Sequence, residues 1–388
     1  MALVLLHFAK NSGPLKFGEL SFYLVLISYS AFAVFGINAS YVKHFSISQI
    51  ESDREKFTIL NFWYNLILGV IVLIFILALV RGNQSYSLAA ICFLNLIRGS
   101  IQSIFRAEIN VWRLCLFNAI FSLMYLSCYI IGVVNHSSYD AQTFLDFWAL
   151  ALIVSIVFGV CLIFSKLTRL KNYDVGFVRD KFHVFFKNGV SLFLIGFGNT
   201  ALLSADRLLL NLFSAPLDVV GYYQFADSIS LVFYLGSNSI LFLIAPMYMR
   251  QISDGVIGPD EFMSKSLRVG VLWFIPLIVF SLLGFLSIEF YFVDFQASQL
   301  LVLLLSLSKF FCLFLFIPVT LFSVLHYESV LMKTYCLIIL PMIFLQAVFI
   351  IFVKTYWILP IISIIAVLTI LFILCKLKSS QLKTVDGL

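Results

Sequence analysis

The sequence predicts an all-α, polytopic membrane protein built as two pseudo-symmetric six-helix bundles. Three observations carry this. Hydrophobic residues make up 62% of the 388-residue chain, against 11% charged, and the mean hydropathy is +1.07. The apolar residues fall in about a dozen stretches of ~20 residues or more, the length at which a helix crosses a ~30 Å hydrocarbon core with its backbone polar groups satisfied internally. A weak duplication sets one half of the chain against the other.

In order, full spans are expected near 17–43, 57–80, 86–108, 112–134, 141–164, 188–213, 218–248, 266–288, 297–322, 329–353 and 356–375. Ahead of them Met1–Lys10 is too short to span. It lacks the basic start and small-residue cleavage site of a signal peptide. The intended organisation is an N-terminal transmembrane lobe at 1–165, a basic linker at 166–187 and a C-terminal transmembrane lobe at 188–388.

The duplication lies in SGPLKFGELSF at 12–22 and SAPLDVVGYYQF at 214–225, which match at Ser12/Ser214, Pro14/Pro216, Leu15/Leu217, Gly18/Gly221 and Phe22/Phe225. In each copy a Pro–Leu turn and a following glycine open a long span. The two six-helix halves are therefore expected to be parallel repeats about an axis along the membrane normal. By that symmetry the first helix is expected to be truncated, short of its mate by roughly 15–20 residues.

Charge fixes an orientation. With a cytoplasmic carboxyl terminus, 18 of the 25 Lys and Arg flank cytoplasmic loops or the tail, four lie outside and three, Arg98, Arg207 and Lys309, remain within spans. This is the positive-inside bias, and it accounts for the net charge of +6 without nucleic acid. The 165–187 loop is then cytoplasmic.

Several chemistries are excluded by composition. The seven cysteines lie in apolar spans with no CxxC pair, the five histidines are scattered, and no HExxH is present, so no metal or other cofactor is expected. No loop is long enough for a separate catalytic domain, so no enzyme activity is expected.

The polar residues within the spans are the candidate site. On helical spacing Asn95, Arg98, Gln102 and Arg106 fall within about 80° of one another, a polar stripe from mid-span to the cytoplasmic end. Lys309 stands at the centre of the span equivalent to the one with Arg98. A mid-span cation costs ~2.5–3.5 kcal/mol on insertion scales, so each requires a partner or an aqueous cavity. The expectation is a cationic cleft in which Arg98 and Lys309 face each other, with Asn95, Gln102, Arg106 and Arg207 as further lining. The alternative is a polar helix–helix seam, with Lys309 paired to Glu289 or another carboxylate. Asp206, Arg207 and Asp227 form either a structural ion-pair network or a site for a coupling ion. Tyr222 and Tyr223 are candidates to stack on a sugar.

The stretches PLKFGELSFYLVLISYSAFAVFGINASYVKHFS and SDREKFTILNFWYNLILGVIVL resemble the start of the polysaccharide or O-antigen flippases (Wzx type), of the multidrug/oligosaccharidyl-lipid/polysaccharide exporter superfamily. GVSLFLIGFGNTALLSADRLLLNLFSAPLDVVGYYQFADSISLVF is similar to that family's helix 7–8 hairpin, with its D-R and V-G-x-Y pair. The resemblance implies a twelve-helix transporter. It would flip undecaprenyl-diphosphate-linked oligosaccharide, an O-antigen or capsule repeat unit of the lipopolysaccharide type, across the bacterial inner membrane by alternating access. Its implied partners are the lipid-linked oligosaccharide, membrane lipids, and the polymerase and chain-length proteins of the same pathway. Two other readings stand beside it: a cation-coupled multidrug or solute exporter of the same fold, which would prefer a negative lumen, and a membrane polymerase or glycosyltransferase, which would need a larger loop.

Overall fold

Apolar stretches in a membrane satisfy their backbone groups as helices, and the computed structural model is almost entirely helical across its described residues, 2–47, 51–80, 84–135, 140–167, 175–325 and 327–385. Fourteen α-helices follow in order: α1 Ala2–Ser30, α2 Ile37–Ile47, α3 Glu51–Leu79, α4 Gln84–Ala107, α5 Val111–Asn135, α6 Ala141–Leu167, α7 Val175–Leu212, α8 Leu217–Ser253, α9 Pro259–Leu272, α10 Phe274–Phe290, α11 Gln299–Phe314, α12 Phe316–Val324, α13 Glu328–Val348 and α14 Leu359–Val385. Among the described residues ten helical segments are long and apolar enough to cross a membrane. The protein is a multi-pass, all-α membrane protein. The one remaining expected span, 218–248, is carried by α8, some of whose side chains lie outside the described residues.

The helix ends follow local chemistry. Asn110 and Asp140 cap α5 and α6, their side-chain oxygens accepting the backbone N–H of Arg113 (3.1 Å) and Thr143 (2.8 Å). The expected continuous span 17–43 is corrected. It breaks at Phe35 and Gly36, both left-handed, with φ of 47° and 71°. Gly36 lies so near another backbone that a Cβ there would come within 2.2 Å of the Gly189 carbonyl oxygen. Close approach of two main chains, invisible in hydropathy, turns the helix there.

The chain packs as two compact units. One is built from Tyr23–Phe193, the other from Val4–Phe22 together with Leu194–Leu388. In the first, α4 is the central helix, lying against α2, α3 and α6. In the second the centre is α11, packed on α8, α10 and α14. Of the expected basic linker 166–187, residues 168–174 lie outside the described residues, as do the side chains of its basic residues.

The duplicated turns meet inside the second unit. Gly13, at φ 72° and ψ 174°, breaks α1 just before Pro14, while Ser214 at φ 51° precedes Pro216 and the start of α8. A Cβ on Gly18 would lie 2.2 Å from the Leu217 carbonyl oxygen, and one on Gly221 would lie 1.9 Å from that of Pro14. Each copy's glycine thus receives the other copy's Pro–Leu backbone. This reciprocity is what a pseudo-twofold relation between the copies demands, and it puts the two turns side by side.

Candidate functional site

In the second unit the polar residues converge. α8 runs along α11, and this brings Asp227 to Lys309. The Lys309 ammonium donates to the Asp227 carboxylate and, at 2.8 Å, to the backbone carbonyl of the same residue. Arg207 on α7 meets the other carboxylate oxygen at 2.7 Å. That contact is a charge contact without an aligned hydrogen bond, and Arg207 also reaches Gln224 at 3.4 Å. Asp206 turns the other way. It accepts the Arg207 backbone N–H at 2.7 Å and the hydroxyl of Tyr223. Asp227 is 0% exposed and Lys309 1%, so bulk solvent does not reach this pair. Two cations and two carboxylates bring the cluster to zero net charge, the state a buried group of ions requires.

A second layer of amides and hydroxyls continues the cluster. Ser21 donates to Gln224 at 3.1 Å, Asn211 lies 3.5 Å from Ser21, and Gln224 donates to Ser228 at 3.2 Å. On the same α7, Asn199 accepts the Tyr335 hydroxyl at 2.9 Å.

Lys309 is paired with a carboxylate, as in the alternative reading; that carboxylate is Asp227 on the neighbouring helix, where spacing along its own span cannot show it. Glu289 is not that partner. Tyr223 is not available to a sugar, because its ring is fully buried and its hydroxyl is committed to Asp206. Tyr222 packs edge-on against Phe295, with ring centroids 6.1 Å apart.

In the first unit the polar stripe of α4 takes a different form. Arg98 donates to the side-chain oxygen of Asn118 on α5 at 2.9 Å, and Gln102 donates to the same oxygen at 2.7 Å. The Arg98 guanidinium lies 4.0 Å from the centroid of the Phe121 ring, a cation–π contact. Among the described residues no carboxylate touches Arg98, and its Nε has no hydrogen-bond partner. Asn95 and Arg106 are half-buried on the same helix. The other side of α4 meets α3 through neutral groups: Asn61 donates to Ser100 (3.1 Å) and Ser103 (3.0 Å), and Asn65 to Asn38 (2.9 Å).

Sequence reasoning missed Asn118, Ser21 and the Asn38–Asn61–Asn65 group. Asn61 and Asn65 are one helical turn apart in an otherwise apolar span, which is a readable signal. Asn118 and Ser21 carry none, since single small polar residues are common in such helices. No group of His, Cys, Asp and Glu capable of holding a metal ion occurs among the described residues.

No protein-family model matches the chain, and no curated protein matches its sequence. Solved structures do match its fold. A multidrug resistance MATE family transporter of the MOP superfamily, in an outward-facing conformation, aligns over 99% of this chain and 92% of its own, with TM-score 0.68 and 14% identity. The lipid II flippase MurJ, inward closed, aligns over 96% of this chain and 85% of its own, with TM-score 0.64 and 16% identity. A MOP superfamily transporter from Pyrococcus furiosus, described by a binding pocket of reverse polarity that suggests a different function, aligns at TM-score 0.58 and 14% identity, over 98% of this chain and 92% of its own. The chain therefore has the MATE/MurJ fold.

Proposed function

We propose that this protein is a flippase that moves a lipid-linked oligosaccharide, carried on a polyprenyl diphosphate, across the bacterial inner membrane. The observation that carries the reading is Arg98. Its guanidinium stands in the span Gln84–Ala107 with an amide and an aromatic ring as its contacts and no carboxylate. An uncompensated cation there is costly unless an anion or water faces it. A guanidinium offers a planar fork of donors suited to phosphate oxygens. The Arg98 Nε is a buried donor with no hydrogen-bond partner, so the guanidinium's hydrogen-bonding demand is not met by the protein.

The rival reading is a cation-coupled exporter of cationic drugs, which the MATE likeness suggests. A positive charge without a carboxylate disfavours a cationic cargo. The MurJ likeness and the motif resemblance support a lipid-linked one. In this reading Asp206 and Asp227 hold the second unit's charge balance and are the positions at which a coupling ion would act.

The test is reconstitution. Liposomes containing the purified chain and a fluorescent polyprenyl-diphosphate oligosaccharide should expose the sugar to an impermeant quencher on both leaflets within the assay time. Arg98→Ala should lose this activity and Arg98→Lys should keep part of it. Uptake of a cationic dye with no movement of the lipid would refute the proposal in favour of the exporter.

A further inference from the structure

Two helices change unit part-way along. α1 belongs to the second unit from Val4 to Phe22 and to the first from Tyr23 onward. α7 belongs to the first unit up to Phe193 and to the second from Leu194. Each exchange brings segments of the two repeats into main-chain contact, and glycine permits both contacts because small residues let helix backbones approach closely. In the second unit Gly18 and Gly221 receive the Leu217 and Pro14 carbonyls. In the first unit Gly36 receives the Gly189 carbonyl and the Phe193 backbone, while a Cβ on Gly189 would come within 3.1 Å of the Phe35 carbonyl oxygen. The second contact is therefore reciprocal, as the first is.

The two contacts stand at opposite ends of α7. From Gly189 to the end of α7 at Leu212 the helix rises ~35 Å at about 1.5 Å per residue, close to the ~30 Å of a hydrocarbon core. Over Val175–Leu212 α7 contains no proline, so nothing in it supplies the usual cause of a kink, and it behaves as a rod. Its partner is jointed. α1 gives way to a 3₁₀ turn at Ala31–Val34, and Phe35 and Gly36 are both left-handed before α2 begins. The surroundings of the two contacts differ. Beside the first, Ser21 donates to Gln224 at 3.1 Å. Beside the second, the Phe193 ring lies 5.4 Å from that of Phe35 and 6.2 Å from that of Phe32. At the glycines themselves no side chains interdigitate, so the main chains can part there without unlocking a packed core. Backbone laid bare in this way is tolerated where it lines a water-filled cavity.

We infer that the two glycine contacts are latches that open in alternation, Gly18–Gly221 staying shut while Gly36–Gly189 parts, and the reverse. A rod that swings away from its neighbour at one end leans into its neighbour at the other. The joint at Phe35 and Gly36 absorbs the change in backbone angle, as hinge residues at element ends do. Both latches are shut in this structure, which is the state through which the two open forms exchange. The inference concerns how the chain moves and goes beyond the reading of its cargo.

The experiment labels the purified full chain in nanodiscs with a bulky, water-soluble maleimide, and mass spectrometry of the reporter peptides reads the rate. Ser21→Cys reports the first latch and Ile37→Cys the second. Both positions are buried, at 0% and 1% exposed, and the Ile37 side chain lies beside Gly189. Gly221→Ala should raise labelling of the Ser21→Cys reporter about tenfold and lower that of the Ile37→Cys reporter. Gly189→Leu should do the opposite. A tenfold change corresponds to ~1.4 kcal/mol, within the range that overpacking costs. Gly236→Ala, where no atom lies within 4 Å of the added carbon, should move neither reporter. A rise at the near reporter with no fall at the far one would overturn the inference, because the contacts would then be independent. A rise at both, or a change at neither, would equally overturn it. Should the glycine variants fail to fold, a protein carrying both reporters replaces them. The maleimide on Ser21→Cys then props the first latch open, and labelling at Ile37→Cys should slow; an unchanged or faster rate would overturn the inference. No cargo is present in these measurements, so their failure leaves the lipid-linked reading to its own flipping assay.

Discussion

The central helices of the two units, α4 and α11, each carry one mid-span cation, yet the two cations are treated in opposite ways. Lys309 is closed in by Asp227, with Arg207 and Asp206 completing a neutral cluster. Arg98 has Asn118, Gln102's shared acceptor and the Phe121 ring. The duplication locates the cause. At its offset of 202–203 residues, the mates of Asp206, Arg207 and Asp227 are Val4, Leu5 and Leu24, three buried apolar side chains. One half of the repeat thus carries the ions that neutralise its central cation, and the other carries hydrocarbon in their place. The difference separates a cation neutralised by carboxylates in its own unit from one that meets an amide and aromatic rings and, among the described residues, no carboxylate, a separation that symmetry in the backbone alone would conceal.

The largest effect should come from removing the shared carboxylate. Asp227→Asn removes the carboxylate that Lys309 and Arg207 both touch and leaves the cluster with one positive charge uncompensated. Breaking a buried pair from one side costs ~3–5 kcal/mol. The variant should show a thermal midpoint far below the wild type in detergent and low membrane levels. Arg98→Met strands no ion and should fold at near wild-type levels while losing transport. Similar losses of stability in both variants would mean that Arg98 is as structural as Lys309, and the comparison would fail.

The next effect tests where the halves are alike. Gly18→Ala and Gly221→Ala each push a methyl into the other copy's backbone, at 2.2 and 1.9 Å. Overpacking of this kind costs ~1–3 kcal/mol, and backbone cannot move aside as a side chain can. The two variants should be destabilised to a similar degree by thermal melting. Gly236→Ala, where no atom lies within 4 Å of the added carbon, should be neutral or slightly stabilising, because alanine favours the helix. A large loss at one of the paired glycines and none at the other would show that the contact is not reciprocal.

The amide beneath Arg98 should matter less to stability and more to ligand. Asn118→Leu removes the acceptor shared by Arg98 and Gln102. Leaving a buried donor unsatisfied costs ~1–3 kcal/mol, more where it is charged and dry and less where water enters. A small shift in melting, joined to weaker flipping of the lipid-linked sugar, would fit a guanidinium aimed at a ligand. A shift as large as that of Asp227→Asn would place Arg98 in a sealed core.

Much of this was legible in the sequence, and the limits have physical reasons. Span length and hydropathy locate the helices because a membrane forces backbone bonds inside each segment. The Pro–Leu turns were readable because proline and glycine act locally. Lys309 shows where legibility ends: its partner is 82 residues away, on a helix brought alongside only by packing. The break at Phe35–Gly36 shows the same limit, since a main-chain contact with Gly189 leaves no trace in the composition of either segment. Asn95, Arg98, Gln102 and Arg106 could be set on one stripe, yet only the fold shows that Arg98 and Gln102 share one acceptor on α5.

The smallest effect belongs to the hydrogen bond that joins the repeat to itself. Ser21 and Gln224 are mates at an offset of 203 residues, and they bond to each other at 3.1 Å, both buried. Gln224 also receives Arg207 at 3.4 Å, so this bond lies one step from the ion cluster. Ser21→Ala removes one neutral donor and leaves the Gln224 oxygen with Arg207 as its remaining partner. A neutral hydrogen bond contributes about 0.5–1.5 kcal/mol net, so the melting shift should be far below that of Asp227→Asn. Gln224→Leu should cost more, because Ser21, Ser228 and Arg207 all lose a contact. If Ser21→Ala instead matches Gln224→Leu, the bond across the repeat carries weight that now rests with the ions. The contrast between the two halves would then lie in how each holds its helices together, rather than in which cation is left for a ligand.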